Sequence, residues 1–227
     1  MRRPIAALLA CFLVLAVSTL DANAQTEPPP PETVDAAVTV LSAEALALPL
    51  EDVGADGASS TTLGELRGAG GLLVIFLSNT CPYVLDWADR FPQLVAQAEE
   101  RGVGLAIVNS NARKRCATDS PDEMRRFASE HLAVQSGIAV SYLLDEGSQL
   151  ADLLAAERTP EAFLFDGQLE LIYRGPFDDH SGPFDQVEQH WLRDALGTIG
   201  TDLEPPDSRP ALGCKIQRPR RRAKPSS

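Results

Sequence analysis

An uninterrupted apolar run extends from Leu72 to Leu77 and is followed by small polar residues, Cys81 and Pro82. Such a run, rich in β-branched and large apolar side chains, predicts a strand that is buried on both faces. Proline is favoured in the first turn of a helix, so a helix is predicted to begin at Pro82. We therefore expect Cys81 to lie where a buried strand passes into a helix.

The segment after Cys81 carries one apolar stripe at helical spacing. Its apolar residues recur at intervals of three and four: Val84, Leu85, Ala88, Phe91, Leu94, Val95 and Ala98. This spacing predicts a helix over Pro82–Glu100, kinked at Pro92 and ended by Gly102. A second apolar run over Gly104–Asn109 predicts another buried strand, which we expect to be parallel to the first.

The rest of the chain alternates between strand and helix patterns. Residues 48–66 indicate a short strand pair followed by a helical turn. Further helices are predicted over Ser120–His131, Ser148–Glu157 and Phe184–Ile199, and further strands over Ile138–Leu144, Ala162–Phe165 and Leu169–Tyr173. The turn residues Asp166 and Gly167 join the last two strands into a hairpin. Together these patterns predict an α/β domain with a covered sheet.

The N-terminus is typical of a secretory signal peptide. Arg2 and Arg3 precede the apolar segment Ile5–Val17, and Ala22–Ala24 supplies small residues for cleavage,. A lipoprotein box at Leu8–Cys11 or an uncleaved membrane anchor is a weaker alternative. We therefore expect export to the periplasm or the extracellular space, with cleavage near Ala24.

This interpretation divides the chain into four regions. They are a signal peptide over residues 1–24, a Pro-rich linker over 25–37, a domain over 38–203, and a basic, flexible tail over 204–227. The chain has a net charge of −12, which argues against nucleic-acid binding by the domain,. The tail is basic and could contact an anionic surface, although such tails are more often only solvated.

The cysteine and histidine content limits the possible chemistry. Of the four cysteines, Cys11 would leave with the signal peptide, so Cys81, Cys116 and Cys214 remain. An odd number leaves a thiol unpaired or paired with another chain. The three histidines have no metal-ligand spacing with one another or with the cysteines, so we expect no metal and no other cofactor,.

In this order of elements, four segments resemble the redoxin form of the thioredoxin-like fold, which includes the AhpC/TSA (peroxiredoxin) domains. Phe76–Val84 resembles the active-site strand and helix start, and Val108–Asn111 resembles the end of the next strand. Arg158–Asp166 resembles the cis-proline loop with its strand, and Tyr173–Asp179 resembles the segment after the hairpin. Gly213–Ile216 resembles a tail found in one subgroup. The resemblance implies a thioredoxin-like three-layer α/β/α sandwich with a central mixed sheet.

Departures from the family patterns leave the chemistry open. Val84 stands where a Cys-x-x-Cys oxidoreductase has its second cysteine. Ser78 fits the hydroxyl position of the peroxiredoxin pattern, but Val74 replaces its proline. Leu85 breaks the Cys-x-x-x-Cys pattern of copper-delivery relatives.

Cys81 is the predicted redox nucleophile, because a helix N-terminus favours the thiolate. A thiolate can attack a disulfide sulfur, or a peroxide oxygen to give a sulfenic acid that a second thiol resolves. Cys214 is the possible resolving thiol or disulfide partner, and Cys116 is the alternative partner.

The resemblance also implies a role for the residues around the proline loop. It places Thr159 and Pro160 across from Cys81, with a cis bond between them. Arg158 or Arg174 could supply positive charge near the sulfur.

Two functions are consistent with these residues. The first is an exported thiol-dependent oxidoreductase that acts on peroxide or on protein thiols and disulfides, with an unidentified electron donor. The second is a non-catalytic binding domain in which a Cys81–Cys214 disulfide is structural.

Overall fold

The computed structural model describes residues 38–54, 59–115, 117–132 and 140–220. The strands are β1 (Leu50–Asp52), β2 (Ser59–Thr61), β3 (Gly71–Phe76), β4 (Val103–Asn109), β5 (Ser141–Leu144), β6 (Arg158–Thr159), β7 (Glu161–Phe165), β8 (Leu171–Gly175) and β9 (Cys214–Lys215). The α-helices are α1 (Ala43–Ala47), α2 (Leu63–Leu66), α3 (Pro82–Asp86), α4 (Phe91–Glu100), α5 (Pro121–Phe127), α6 (Gln149–Leu153) and α7 (Trp191–Thr198). The predicted signal peptide, linker and Cys116 lie outside the described residues.

A seven-stranded sheet in the order β2-β1-β5-β4-β3-β7-β8 forms the middle layer. The central strands β3, β4 and β5 are parallel, whereas β7 and β8 form an antiparallel hairpin beside β3. Side chains of β3 alternate between two cores. Leu73 and Ile75 pack towards α4, α5 and α7, and Leu72 and Val74 pack towards α1, α2 and α6. The predicted thioredoxin-like three-layer α/β/α sandwich with a central mixed sheet is confirmed.

The helix predicted over Pro82–Glu100 is divided into two. Helix α3 ends at Asp86, a 3-10 turn spans Ala88–Arg90, and α4 begins at Phe91. Pro92 lies in the first turn of α4, where its missing N–H costs nothing, so the break comes before the proline rather than at it,. Buried hydrogen bonds stabilise the chain at this break. The indole N–H of Trp87 and the guanidinium of Arg90 both donate to the carboxylate of Asp178.

Two other predicted helices are shorter in the structure. The helix predicted over Phe184–Ile199 begins only at Trp191, because the preceding residues bond to a neighbouring loop. The N–H of Asp179 donates to the carbonyl of Gln189, and the N–H of Glu188 donates to the Asp179 carboxylate. Of the helix predicted over Ser148–Glu157, only Gln149–Leu153 (α6) is α-helical.

Residues 204–220, the described part of the predicted flexible tail, lie against the domain. The N–H of Arg209 donates to the carbonyl of Arg174 at 2.8 Å, and the N–H of Ile216 donates to the carbonyl of Glu157 at 2.9 Å. The Ile216 side chain is buried in the core that contains α6. Strand β9 therefore lies between two anchored positions. None of the helices in the described ranges is long and apolar enough to cross a membrane.

Candidate functional site

Cys81 lies in the turn that follows the carboxyl end of β3, and it is the residue immediately before α3. Its N–H donates to the carbonyl of Ser78, which turns the chain out of the strand. Its own carbonyl accepts hydrogen bonds from Val84 and Leu85 in the helix. The side chain is 0% exposed, so its sulfur lies inside the protein rather than at the surface.

The Cys81 sulfur has two close neighbours from distant parts of the chain. It lies 2.9 Å from the sulfur of Cys214 and 2.9 Å from the carbonyl oxygen of Thr159, to which its thiol donates. Since a disulfide has an S–S distance of about 2.05 Å, small side-chain movements would bring the two sulfurs to the distance of a disulfide bond, which an oxidant could then form. The structure therefore brings together three of the residues singled out in the sequence.

Cys214 reaches this position because β9 pairs antiparallel with β6, with Cys214 opposite Thr159. The preceding residue, Gly213, has φ +149°, and a Cβ atom at that position would lie 2.1 Å from the Thr159 carbonyl oxygen. Only glycine allows the two backbones to approach this closely. The guanidinium of Arg158 donates to the Gly213 carbonyl at 2.8 Å, and the Thr159–Pro160 bond is cis, as the resemblance implies.

The half-buried Cys214 thiol is a weak acid. Burial raises its pKa to about 11, and the hydrogen bond and charge of Cys81 act in the same direction. The cations of Lys114 and Arg158 oppose this shift. Near neutral pH Cys214 is therefore present mainly as the protonated thiol.

The hydroxyl of Ser78 is directed away from the cysteine pair. It donates to the carboxylate of Asp119 at 3.2 Å, and the same buried carboxylate accepts from the N–H of Asn79 and the amide of Asn109. Asp119 thus ties the turn before Cys81 to the end of β4. Sequence reasoning missed Asp119, because an acidic residue in a polar loop gives no local sign of such a role.

Two other sequence candidates lie elsewhere or cannot be described. Arg174 forms an ion pair with the buried carboxylate of Glu161 at 2.7 Å, so its charge is already balanced. Cys116 lies outside the described residues. Within the described ranges, no group of three or more His, Cys, Asp or Glu residues could hold a metal ion.

Comparisons with known proteins agree with the fold. The model of the AhpC/TSA family matches residues 42–174. The chain is similar to the solved structure of a hypothetical protein from Sinorhizobium meliloti, with 26% identity, a TM-score of 0.67, and 81% of this chain and 96% of that chain covered. It is also similar to an uncharacterized conserved protein from Geobacillus kaustophilus, with 29% identity, a TM-score of 0.64, and coverage of 80% and 92%. The chain matches no protein with a curated description.

Proposed function

Since the chain belongs to the AhpC/TSA family, we propose that it is a thiol-dependent oxidoreductase whose redox couple is Cys81 and Cys214. The observation that carries this proposal is the 2.9 Å separation of the two sulfurs, with Cys81 buried against the Thr159 carbonyl. Two cysteines that are 133 residues apart in sequence meet here without a metal ligand set around them in the described residues. Such a pair is suited to cycling between dithiol and disulfide.

A peroxide is the oxidant that suits this arrangement best. Because Cys81 is 0% exposed, a small molecule can reach its sulfur far more easily than a protein disulfide can. The Cys81 thiolate attacks one peroxide oxygen, the O–O bond breaks, and the leaving oxygen takes a proton to form water or an alcohol. Cys214 then attacks the sulfenic sulfur, water leaves, and the Cys81–Cys214 disulfide forms. Two electrons from a thiol donor return the pair to the dithiol.

We place this reaction outside the cytoplasm. The signal-like residues 1–24 support export to the periplasm or the extracellular space, with cleavage near Ala24,. N-terminal sequencing of the protein recovered from its native host tests this part of the proposal. A mature chain that begins at Met1 would overturn it.

Peroxide titration of the reduced mature protein tests the redox couple. We expect hydrogen peroxide to remove two thiols per molecule and to yield a Cys81–Cys214 disulfide in the peptide map. Cys81→Ser should abolish peroxide consumption, whereas Cys214→Ser should stop at a sulfenic acid that dimedone traps. Cys116→Ser is the matched control and should retain both steps. A Cys81 thiol that survives millimolar peroxide in the folded protein would exclude the proposal.

The anchoring of β9 favours a second candidate function, a non-catalytic binding domain with a structural disulfide. Arg209 and Ile216 are both bonded to the body, so a Cys81–Cys214 bond would also act as a clip. The two functions differ in how the bond is reduced. A redox couple is reduced by thiols in the folded state, whereas a structural clip is reduced only after denaturation.

A further inference from the structure

We propose that the reducing thiol enters the site at Cys214 rather than at Cys81, and that it is a thiol carrying a negative charge. The inference rests on the proposed redox couple of Cys81 and Cys214. It adds to that function the sulfur at which electrons enter and the chemical class of the donor.

Exposure decides which sulfur the donor meets. Cys81 is 0% exposed and its sulfur faces the Thr159 carbonyl, whereas Cys214 is half-buried. Thiol–disulfide exchange requires direct contact with the sulfur that is attacked. Since attack occurs along the S–S axis, a donor that approaches from outside meets Cys214 first and expels Cys81 into the interior.

Two cations flank the sulfur that the donor would meet. Lys114 donates to the hydroxyl of Thr80, the residue before Cys81, at 3.1 Å. Arg158 donates to the carbonyl of Gly213, the residue before Cys214, at 2.8 Å. Both side chains lower the pKa of Cys214 against the effects of burial and of Cys81, so their charges act at this sulfur.

Within the described part of the chain neither Lys114 nor Arg158 forms an ion pair. Their charges are therefore available to an incoming anion. The contrast with the rest of the molecule is marked, because the whole chain carries a net charge of −12. An anionic thiol would be repelled by most of the surface and attracted at this site.

The reaction proceeds in two balanced exchanges. The donor thiolate attacks the Cys214 sulfur, the Cys81–Cys214 bond breaks, and Cys81 leaves as a thiolate that takes up a proton. A second donor thiolate attacks the donor sulfur of the mixed disulfide, which releases Cys214 and yields the donor disulfide. Two donor thiols are oxidised, and one protein disulfide is reduced to two thiols.

Reduction of the oxidised mature protein by charged thiols tests the proposal. The probes are 2-mercaptoethanesulfonate, which is anionic, and cysteamine, which is cationic. Each rate is expressed per thiolate and divided by the rate with an uncharged model disulfide, which removes differences in intrinsic reactivity. At low ionic strength we expect the anionic probe to react about fivefold faster than the cationic one, and added salt should reduce this ratio.

Matched variants and adduct mapping complete the test. Lys114→Gln should lower the ratio to about twofold, because one of the two flanking charges is lost. Arg67→Gln should leave the ratio unchanged, because Arg67 lies before the amino end of β3 whereas Cys81 lies beyond its carboxyl end. Acid quenching during the reaction should trap the mixed disulfide on Cys214, with Cys81 free.

An adduct on Cys81, or equal normalised rates for the two probes, would overturn the inference while leaving the redox couple intact. A disulfide that never forms with peroxide would instead overturn the proposed function. A disulfide that forms but resists both probes until the protein unfolds would also overturn the proposed function.

Discussion

At the residue scale, the two cysteines of the pair have different environments. Cys81 is buried in the core that contains α4, α5 and α7, whereas Cys214 is half-buried and is held beside it by its own short strand. Burial and the proximity of Cys81 raise the pKa of Cys214 to about 11. In the proposed cycle, the thiol that resolves the sulfenic acid is therefore protonated near neutral pH.

The pH dependence of Cys214 alkylation follows from this environment. In the reduced mature protein, iodoacetamide labelling of Cys214 should be slow near neutral pH and should rise with a midpoint near pH 11. Cys81→Ser should lower this midpoint, because the neighbouring thiol contributes to the raised pKa. Peptide mapping after timed labelling measures both curves. A midpoint in the ordinary cysteine range of about 8.5 would contradict the assignment.

The raised pKa also affects stability. The raised pKa of Cys214 contributes stability to the reduced folded state that is fully present below the ordinary cysteine range. This contribution is lost as the pH rises through about 11,. The difference in unfolding free energy between the reduced protein and its Cys214→Ser variant should therefore shrink over that interval.

Some residues of the candidate site could be predicted from the sequence and others could not. Cys81 was recognisable because an apolar strand, a cysteine and a proline are adjacent in the chain. Asp119 was not, because its hydrogen bonds reach Ser78 and Asn79, which are 41 and 40 residues away. Contacts of that range depend on how the strands pack, and no local pattern records them.

At the element scale, a pair of two-residue strands determines the geometry of the site. Strands β6 and β9 join Thr159 to Cys214, and the pairing requires the close backbone approach at Gly213. A two-residue strand supplies few hydrogen bonds of its own. Its position therefore depends on this approach and on the anchored residues at both sides.

Gly213→Ala should displace β9 from β6. The new methyl group would lie 2.1 Å from the Thr159 carbonyl oxygen, and the φ of +149° is unfavourable for alanine. We expect a loss of about 1–3 kcal/mol in unfolding free energy and slower formation of the Cys81–Cys214 disulfide. Chemical denaturation and thiol counting after peroxide addition measure the two effects.

Gly197→Ala is the matched control for this change. Gly197 lies inside α7, where a Cβ atom would meet only the end of the Gln97 side chain at 3.8 Å. Alanine is a better helix former than glycine, so this variant should be at least as stable as the parent protein. Equal effects of the two substitutions would contradict the role given to Gly213.

The existence of the helices and strands could be predicted from the sequence more accurately than the residues at which they begin and end. The strands around Cys81 and the hairpin after Pro160 were recognisable from apolar runs and turn residues. The start of α7 was not, because residues that fit a helix instead bond to the Asp179 loop. Strand β9 was missed because Cys214 and Lys215 have no strand pattern of their own.

At the scale of the whole molecule, the segment over 204–220 closes the fold. It contributes Ile216 to one core and bonds to β8 through Arg209. It also connects to α6 through the ion pair of Arg218 with Asp152. The described part of this segment therefore belongs with the sandwich, although its composition alone indicated a solvated tail.

Deletion of residues 209–227 should uncover the Cys81 sulfur. Full-length Cys214→Ser is the reference, because it also lacks the second thiol but keeps the segment. Cys81 should be alkylated at least about tenfold faster in the truncated protein than in this variant. Loss of the Ile216 contact should also lower the unfolding free energy by about 1.5–3 kcal/mol. Mass spectrometry of labelled Cys81 and thermal denaturation measure these changes.

Deletion of residues 221–227 is the control for the truncation. Every contact described for the segment lies before residue 221, so this shorter deletion should leave the labelling rate and the stability unchanged. Equal labelling of Cys81 in the longer truncation and in full-length Cys214→Ser would contradict the covering role.

The two borders of the central sheet have a consequence for behaviour at high concentration. Along β8, Thr39 and Arg209 already bond to the outer backbone groups of the strand. At the opposite border, β2 spans only Ser59–Thr61 and is entirely polar. Exposed strand borders are the usual template for aggregation, and short, polar or covered borders suppress it. The molecule should therefore stay dispersed when concentrated, so that self-association through its sheet does not compete with the proposed thiol chemistry.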